Sequence, residues 1–288
     1  MRNGFLADLN YWTAFFNSAL TQDCEIEHPF VFVIGAPRSG TTVLAQVLAY
    51  CLNGGYICNL AARFWLAPVV GIRLAREILG ESITPGFRSD YATTSGAEGI
   101  HEFGYFWRYW LRCPTNADTP TGEGVNWGRL RLALANIQGE FGKAVIMKGV
   151  WPVYVAGQIA AILGGKVVWV NIERDPVDTC VSILEGRRNR GNVDEWCCGW
   201  VPPEPAFSEL SQLEPYAQIA GQVVYWRRYY AEIAHHTVRL ADLCADPMAV
   251  VEQVHGEIPI KRQVPGGALE LRKGIGSPED RARFKELL

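Results

Sequence analysis

Residues 30–42 have the sequence FVFVIGAPRSGTT, and this stretch decides the fold. Its first five residues are all apolar, which is typical of a strand that is buried on both faces of a parallel sheet. A glycine-rich turn follows at residues 35–42, and residues 41–52 repeat apolar side chains at helical spacing. The stretch therefore predicts a strand, a glycine loop and a helix in direct succession.

The same alternation of strand and helix recurs further along the chain. Further strands are predicted at residues 144–147, 167–172 and 237–240, and further helices at residues 153–163, from Val177, at residues 216–235 and from Pro247. Alternating strands and helices of these lengths indicate an α/β fold with a doubly wound, central parallel sheet that is flanked by helices.

The chain length of 288 residues suits one large α/β domain or two small ones. We interpret residues 1–288 as a single domain with insertions at about 60–127 and 189–212. Both insertions are rich in glycine, proline and aromatic residues and have poor periodicity. Open α/β folds bind their ligands at the carboxyl edge of the sheet, so we expect the insertions to cover an active site there.

Composition excludes several classes of partner. The net charge of −3 and the pI near 6.0 argue against bulk attraction to nucleic acid or to anionic membranes. None of the eight cysteines forms a C-x-x-C pair, and no cluster of carboxylates or histidines has metal-ligand spacing, so no metal is expected. The first residues lack the pattern of a secretion signal, and no apolar run is long enough for a membrane span. We therefore expect a reduced, cytoplasmic protein.

The glycine loop has the context of a phosphate-binding loop, because it follows a buried strand and opens a helix. Its backbone N–H groups and the positive end of the helix would point at an anion, and Thr41 and Thr42 add hydroxyl donors. Thr41 stands where a Walker loop has lysine, Arg38 is the cation of the loop, and Asn171 stands where a magnesium-binding aspartate is expected. The pattern favours a nucleotide-binding loop over an ATPase or kinase. The alternative is a tight turn without a ligand.

A second anion site is predicted after the strand at residues 167–172. Arg174 follows that strand at its carboxyl end, and its planar guanidinium suits phosphate. Asp175 can cap the next helix and Pro176 suits its first turn, while Ser182 follows about two turns later. The alternative interpretation is a helix cap with a surface salt bridge.

Together these two segments resemble the sulfotransferases that use 3′-phosphoadenosine 5′-phosphosulfate (PAPS). The resemblance implies a P-loop-like sulfotransferase fold in which Arg174 and Ser182 hold the 3′-phosphate of the donor. It also implies that the 5′-phosphosulfate is bound by Pro37, Arg38, Ser39, Gly40, Thr41 and Thr42. No metal is required by this chemistry.

Two further segments extend the resemblance over roughly residues 29–276. Lys148 lies where the family carries a lysine that contacts the transferring sulfate. Residues Arg272, Lys273 and Gly274 resemble the element that closes over the 3′-phosphate. The implied reaction moves a sulfuryl group from PAPS to a hydroxyl (or amine) acceptor by in-line displacement and releases 3′,5′-bisphosphoadenosine (PAP). Arg38 and Lys148 are the cations expected at the leaving group.

The general base cannot be transferred from the family. Cytosolic members place a histidine at the position of Val150, and tyrosylprotein members place a glutamate near residues 58–60, where this chain has no acid. The best candidates are the neighbours His101 and Glu102, since either side chain could take the proton of the acceptor. The sequence does not decide between them.

The acceptor and the partners are less defined. The aromatic content of the insertions favours an aromatic, lipid-like or glycan acceptor, and residues 196–203 could form a lid. A homodimer is compatible with the sequence, and neither a nucleic-acid partner nor a membrane span is expected. Two alternative functions remain open, namely a P-loop kinase or NTPase and a non-catalytic nucleotide-binding relative.

Overall fold

The computed structural model describes residues 4–87, 89–90, 93–115, 118–194, 209–269 and 276–288. Within these ranges no helix combines the length and the apolar character that crossing a membrane requires. The proposed lid around Trp196 and Trp200 lies outside the described residues.

The described residues form strands, α-helices and short 3-10 turns. The strands are β1 Phe30–Ile34, β2 Ser89–Asp90, β3 Thr93–Thr94, β4 Val145–Lys148, β5 Val167–Glu173 and β6 His236–Arg239. The helices are α1 Gly4–Leu20, α2 Thr41–Cys51, α3 Pro68–Leu79, α4 Gly104–Trp110, α5 Trp127–Phe141, α6 Ala156–Ile162, α7 Pro176–Asn189, α8 Pro215–Ile233, α9 Leu240–Ala245, α10 Pro247–Val254 and α11 Pro278–Leu287. The 3-10 turns are Ala61–Arg63, Pro152–Val155 and Leu210–Gln212.

The four longer strands form one parallel sheet in the order β4-β1-β5-β6, which confirms the predicted α/β fold with helices flanking a central parallel sheet. Val33 of β1 pairs with Lys148 on one side and with Val170 on the other. The carboxyl ends of the three neighbouring strands therefore meet at one edge of the sheet. The glycine loop, Lys148 and Arg174 all lie at that edge.

Strand β1 lies between β4 and β5, and every one of its side chains is buried. The ring of Phe32 stacks on Trp169 of β5 with centroids 4.7 Å apart and meets the edge of Trp107 of α4 at 5.9 Å. Stacked and edge-to-face contacts of this kind add to the burial of apolar area. The aromatic core thus fixes the strand that carries the glycine loop.

The structure differs from the predicted elements at several places along the chain. Helices α1, α3, α4, α5, α9 and α11 were not predicted, and the predicted helix at residues 153–163 begins as a 3-10 turn before α6. Helix α11 has a capping box at Ser277 and Asp280, with Pro278 at its first position. This capping pattern is a sequence signal that predicts the start of a helix.

Candidate functional site

The glycine loop adopts a conformation that only particular residues tolerate. Gly35, Arg38 and Gly40 have positive φ angles of 153°, 72° and 107°. A Cβ atom at Gly35 would lie 2.6 Å from both the carbonyl oxygen of Ile172 and the Oγ of Ser39. Glycine is therefore required at position 35, because a side chain would collide with the backbone of β5.

The loop suits an anionic group. Helix α2 begins at Thr41, and no side chain caps its first N–H groups. These groups carry the positive end of the helix dipole, which favours an anion in front of the helix. Ser39 is buried, and its Oγ has no hydrogen-bond partner among the described residues. The backbone, the glycines and this hydroxyl together fit a phosphate or sulfate group.

Arg38 connects the glycine loop with the second predicted anion site. Its Nε donates to the Oγ of Ser182 on α7 at 3.0 Å, although the two residues are 144 positions apart. Arg174, at the end of β5, donates through Nη1 to the carbonyl oxygen of Arg38 at 3.4 Å. We call Arg38, Arg174 and Ser182 the arginine cluster. The structure thus brings together three residues that the sequence assigned to donor binding.

The segment after β5 holds Arg174 in place. Asp175 caps α7 by accepting a hydrogen bond from the backbone N–H of Asp178 at 2.9 Å, and Pro176 occupies the first helical position, as predicted. Burial lowers the pKa of the Arg174 guanidinium, and the nearby carboxylates of Asp178 and Asp175 oppose this effect. A partly desolvated cation at a strand end is a suitable group for binding an anion.

A second group of polar residues, the lysine cluster, lies at the end of β4. The side chain of Lys148 is only 1% exposed, and its Nζ lies 2.5 Å from the Oε1 of Glu102. The same Nζ donates to the Oγ1 of Thr42 on α2 at 3.0 Å. A buried cation requires such partners. Thr42, Lys148 and Glu102 thus join the glycine loop to the segment that the sequence selected for the general base.

Backbone pairing positions Glu102 beside β4. Cys58 and Ile100 form an antiparallel bridge, and the backbone N–H of His101 donates to the carbonyl oxygen of Ile57 at 2.9 Å. Gly55, three residues before Cys58, pairs with Val145 at the start of β4. Residues 55–58 therefore lie between β4 and the His101–Glu102 segment and contact both through their backbone.

His101 is differently placed from Glu102. Its Nδ1 accepts a hydrogen bond from the backbone N–H of Phe103 at 2.8 Å. Burial lowers the pKa of His101; Glu102 opposes this shift, while Lys148 and Arg63 add to it. The neutral ring therefore carries its proton on Nε2, since Nδ1 acts as an acceptor. In this tautomer no ring nitrogen is available to accept a proton from an acceptor.

The aromatic residues of the first insertion divide into two groups. Phe103, Phe106 and Trp107 are buried, as expected for core residues. Tyr105 is exposed on α4 and stacks on Trp65 with ring centroids 4.9 Å apart. Trp65 is half-buried, and Tyr105 stands three residues after Glu102.

Some predicted site residues cannot be placed, and one further cation was missed. Arg272, Lys273 and Gly274 lie outside the described residues. Arg281 of α11 forms an ion pair with Asp178 at 2.6 Å and lies close enough to Arg174 to lower its pKa. The capping box that starts α11 was the sequence signal that could have predicted its position.

Two other features lie outside the clusters. No group of three or more potential metal ligands occurs in the ranges that the structure describes. A cavity of about 220 Å³ lies at the amino end of β4, where Gly54, Gly55, Arg76 and Lys143 contribute to its wall. Its wall includes no residue of the arginine cluster or the lysine cluster, so we do not assign it to the candidate site.

Comparisons with known proteins identify the fold. No protein-family model and no curated protein sequence matches the chain. The structure is similar to sulfotransferase STF9 from Mycobacterium avium, with 14% identity and a TM-score of 0.50 over 98% of this chain and 75% of that chain. It also matches sulfotransferase STF1 from Mycobacterium tuberculosis H37Rv, with 13% identity and a TM-score of 0.45 over 97% of this chain and 75% of that chain.

A third match is the sulfotransferase domain from the curacin biosynthetic pathway, with 11% identity and a TM-score of 0.41 over 90% of this chain and 83% of that chain. At these identities the comparisons bear on the fold and not on the reaction. The match to the M. avium protein has a TM-score of 0.50 over 98% of this chain, and we base the fold assignment on it. The resemblance predicted from the loop is thereby confirmed at the level of architecture: the chain has the fold of the bacterial sulfotransferases.

Proposed function

We propose that the protein is a PAPS-dependent sulfotransferase that transfers a sulfuryl group to a hydroxyl (or amine) acceptor and releases PAP. One observation carries the proposal, namely the 3.0 Å hydrogen bond between Arg38 and Ser182. It joins the two segments that resemble the donor-binding motifs, which lie far apart in the sequence. A tight turn without a ligand would not need an arginine that bridges to this serine.

The arginine cluster would bind the 3′-phosphate of the donor. Arg174 supplies a planar, permanently charged donor at the carboxyl end of β5, and Ser182 supplies a hydroxyl from α7. Arg38 points towards Ser182, so we assign it to this phosphate and to the loop in front of α2. This assignment moves Arg38 away from the leaving group, where the resemblance placed it.

The lysine cluster would carry the transfer. The oxygen of the acceptor attacks the sulfur, the bond between that sulfur and the bridging phosphate oxygen breaks, and PAP leaves with the electron pair of that bond. Lys148 and Thr42 would stabilise the negative charge that grows on the bridging oxygen. Fixed donors in a buried site act strongly on such charge, because little reorganisation is needed when it forms.

Glu102 would accept the proton that the acceptor loses. Its carboxylate is about one-third exposed, at 33%, so an acceptor can reach it, and its Oε1 already contacts Lys148. His101 is less suitable, because Nδ1 is used by the backbone of Phe103. We therefore assign proton removal to Glu102 and a role in holding the loop to His101.

The Tyr105–Trp65 pair supports an acceptor with an apolar or aromatic face, such as a phenol, a lipid-like alcohol or the face of a sugar. The test is an acceptor screen with sulfur-labelled PAPS, in which labelled product and released PAP are both measured. We expect transfer to at least one phenol, apolar alcohol or sugar. Transfer to small, highly polar acceptors alone would contradict the acceptor class, and PAPS that never turns over would identify a non-catalytic relative.

A further inference from the structure

Helix α1, Gly4–Leu20, is attached to the rest of the protein through polar side chains. Asn10 is fully buried; its Nδ2 donates to the carbonyl oxygen of Arg63 at 2.7 Å and its Oδ1 accepts from the N–H of Leu66 at 2.9 Å. Asn17 accepts from the N–H of Val69 at 3.0 Å. One face of α1 is thus fixed against the segment that leads into α3.

The opposite face of α1 is aromatic and exposed. Between 63% and 78% of the surface of each of five residues is exposed, namely Phe5, Tyr11, Trp12, Phe15 and Phe16. Tyr11 and Trp12 form an edge contact with centroids 5.5 Å apart, and Phe15 and Phe16 do so at 6.0 Å. We call these five residues the aromatic face of α1. A contiguous apolar patch of this kind is unusual on the surface of a monomer and indicates an interaction site.

The spacing of the aromatic face fits a helix as its partner. Positions 5, 8, 12, 15 and 19 follow the alternating three- and four-residue steps of a helix-pairing seam. Phe5, Trp12 and Phe15 occupy this seam, and Tyr11 and Phe16 flank it. The remaining seam positions are Asp8 and Ala19, which leave room beside the large rings.

Charge distinguishes between a lipid surface and a protein partner. Helices that lie on membranes usually carry lysine and arginine on their polar face, but α1 contains no basic residue and one acid, Asp8. The whole chain also has a net charge of −3. Interface cores, in contrast, are depleted of charge and enriched in Tyr, Trp and Phe. The composition of α1 therefore favours a protein over an anionic membrane.

We propose that the aromatic face of α1 pairs with the same face of a second copy of this chain and forms a two-fold symmetric dimer. An aromatic side chain can bury about 150–250 Å², and 63–78% of each of these five residues is exposed, so together they can contribute on the order of 500–900 Å² per copy. A stable interface needs about 800 Å² from each partner, which is within that range.

We place the two α1 helices antiparallel, because this arrangement suits the packing of the seam. A two-fold axis near Trp12 places Phe5 of one copy opposite Ala19 of the other, so a large side chain meets a small one. It also keeps the two Asp8 carboxylates apart, since each faces the region of Phe15 and Phe16. A symmetric interface of this type closes as a dimer without further growth.

The test is sedimentation equilibrium on the whole chain, on Trp12→Arg, on Phe15→Arg and on the matched control Val224→Arg. Val224 is also an exposed apolar residue, but it lies on α8. We expect the wild type and the control to be dimers, and each α1 variant to weaken self-association by about 30-fold or more, as for interface hot spots. Thermal melting of each variant checks that it is folded, and Trp12→Ala replaces any variant that is not.

Two results would overturn the proposal. A wild type that stays monomeric at high protein concentration would do so, and binding of that monomer to neutral phosphatidylcholine vesicles would assign the face to lipid instead. A dimer that persists in both α1 variants would place the interface elsewhere. Neither result depends on whether the protein transfers a sulfuryl group.

Discussion

The Nζ of Lys148 lies 2.5 Å from the Oε1 of Glu102, and the two residues come from different parts of the chain. The lysine is buried at the end of β4, whereas the carboxylate is partly open to solvent. The pair thus links a buried cation that contacts Thr42 of the glycine loop to a carboxylate that solvent can reach. In the proposed function, Lys148 stabilises the leaving group and Glu102 removes the proton, so the two partners of one ion pair have adjacent roles.

Replacement of Lys148 tests the cation. We expect Lys148→Met to lower kcat for sulfuryl transfer by about 100- to 1,000-fold, the usual loss when one donor to developing charge is removed. Affinity for PAP should change little, since the arginine cluster is intact. The matched control is Lys143→Met, which removes a partly buried lysine from the cavity at the amino end of β4. Steady-state kinetics and PAP calorimetry on both variants would distinguish a catalytic effect from a structural one; equal kcat losses would contradict the account.

Replacement of the two candidate bases tests the proton acceptor. We expect Glu102→Gln to lower kcat by about 100-fold or more, in the range for general bases, and His101→Gln to lower it less than tenfold. Because burial keeps the pKa of His101 below its ordinary value, its ring is neutral above about pH 6.5. The pH profile of His101→Gln above this pH should therefore match that of the wild type. If the fall of kcat towards low pH disappeared in His101→Gln and stayed in Glu102→Gln, the histidine would be the base.

The glycine loop can be tested without changing a charge. We expect Gly35→Ala to weaken PAP binding more than tenfold and to lower the free energy of unfolding by about 2 kcal/mol, because its Cβ would collide with the carbonyl oxygen of Ile172. Gly139 provides the control, since a Cβ there meets nothing within 4 Å. As an exposed position inside α5, Gly139→Ala should raise the free energy of unfolding by about 0.5–1 kcal/mol. Loss of stability in both variants would contradict this interpretation.

Asp280 provides a prediction about pH and stability. It accepts two hydrogen bonds from Arg188, at 2.8 and 2.9 Å, and one from the hydroxyl of Tyr216 at 2.6 Å. These contacts, above all those from Arg188, hold the pKa of Asp280 well below its ordinary range. The native state then binds fewer protons than the unfolded state, so the stabilisation is complete above about pH 4 and is lost as the pH falls further.

We therefore expect Asp280→Asn to lower the free energy of unfolding by about 2 kcal/mol at pH 7, with a difference that shrinks below pH 4. Urea denaturation at several pH values measures it. Glu25→Gln is the control, because Glu25 pairs with Arg131 in solvent and such pairs contribute under about 1 kcal/mol. A difference that stays constant down to pH 2 would show that the carboxylate charge is not responsible.

The sequence predicted strands β1, β4 and β5 well, because these strands are mostly apolar and buried. The strand at residues 30–34 was predicted with the bounds that the structure shows, and the helix from Thr41 ends within one residue of its predicted end. Residues 104–110 were not predicted as a helix, since α4 has aromatic residues at both buried and exposed positions and so lacks a clear apolar stripe. Helix α1 was missed because its exposed face is more apolar than its anchored face.

The sequence nominates the individual residues of the candidate site, but it does not indicate the contacts between them. The resemblance placed Arg38 at the leaving group, whereas the structure directs it to Ser182. The pairing of Lys148 with Glu102 depends on the bridge between Cys58 and Ile100, which no local pattern indicates. Contacts between distant segments of this kind follow from packing and not from periodicity.

The most direct test of the proposed function is calorimetric binding of PAP, ADP and ATP, with and without magnesium, to the wild type, to Arg174→Ala and to the control Arg129→Ala. Arg129 is an exposed arginine on α5, away from the arginine cluster. We predict that PAP binds without metal and more tightly than ADP. Arg174→Ala should weaken PAP binding by about 10- to 150-fold, which corresponds to the loss of charged hydrogen bonds to a phosphate. Equal binding of ATP and PAP, or binding only with magnesium, would contradict the sulfotransferase account and favour a P-loop NTPase.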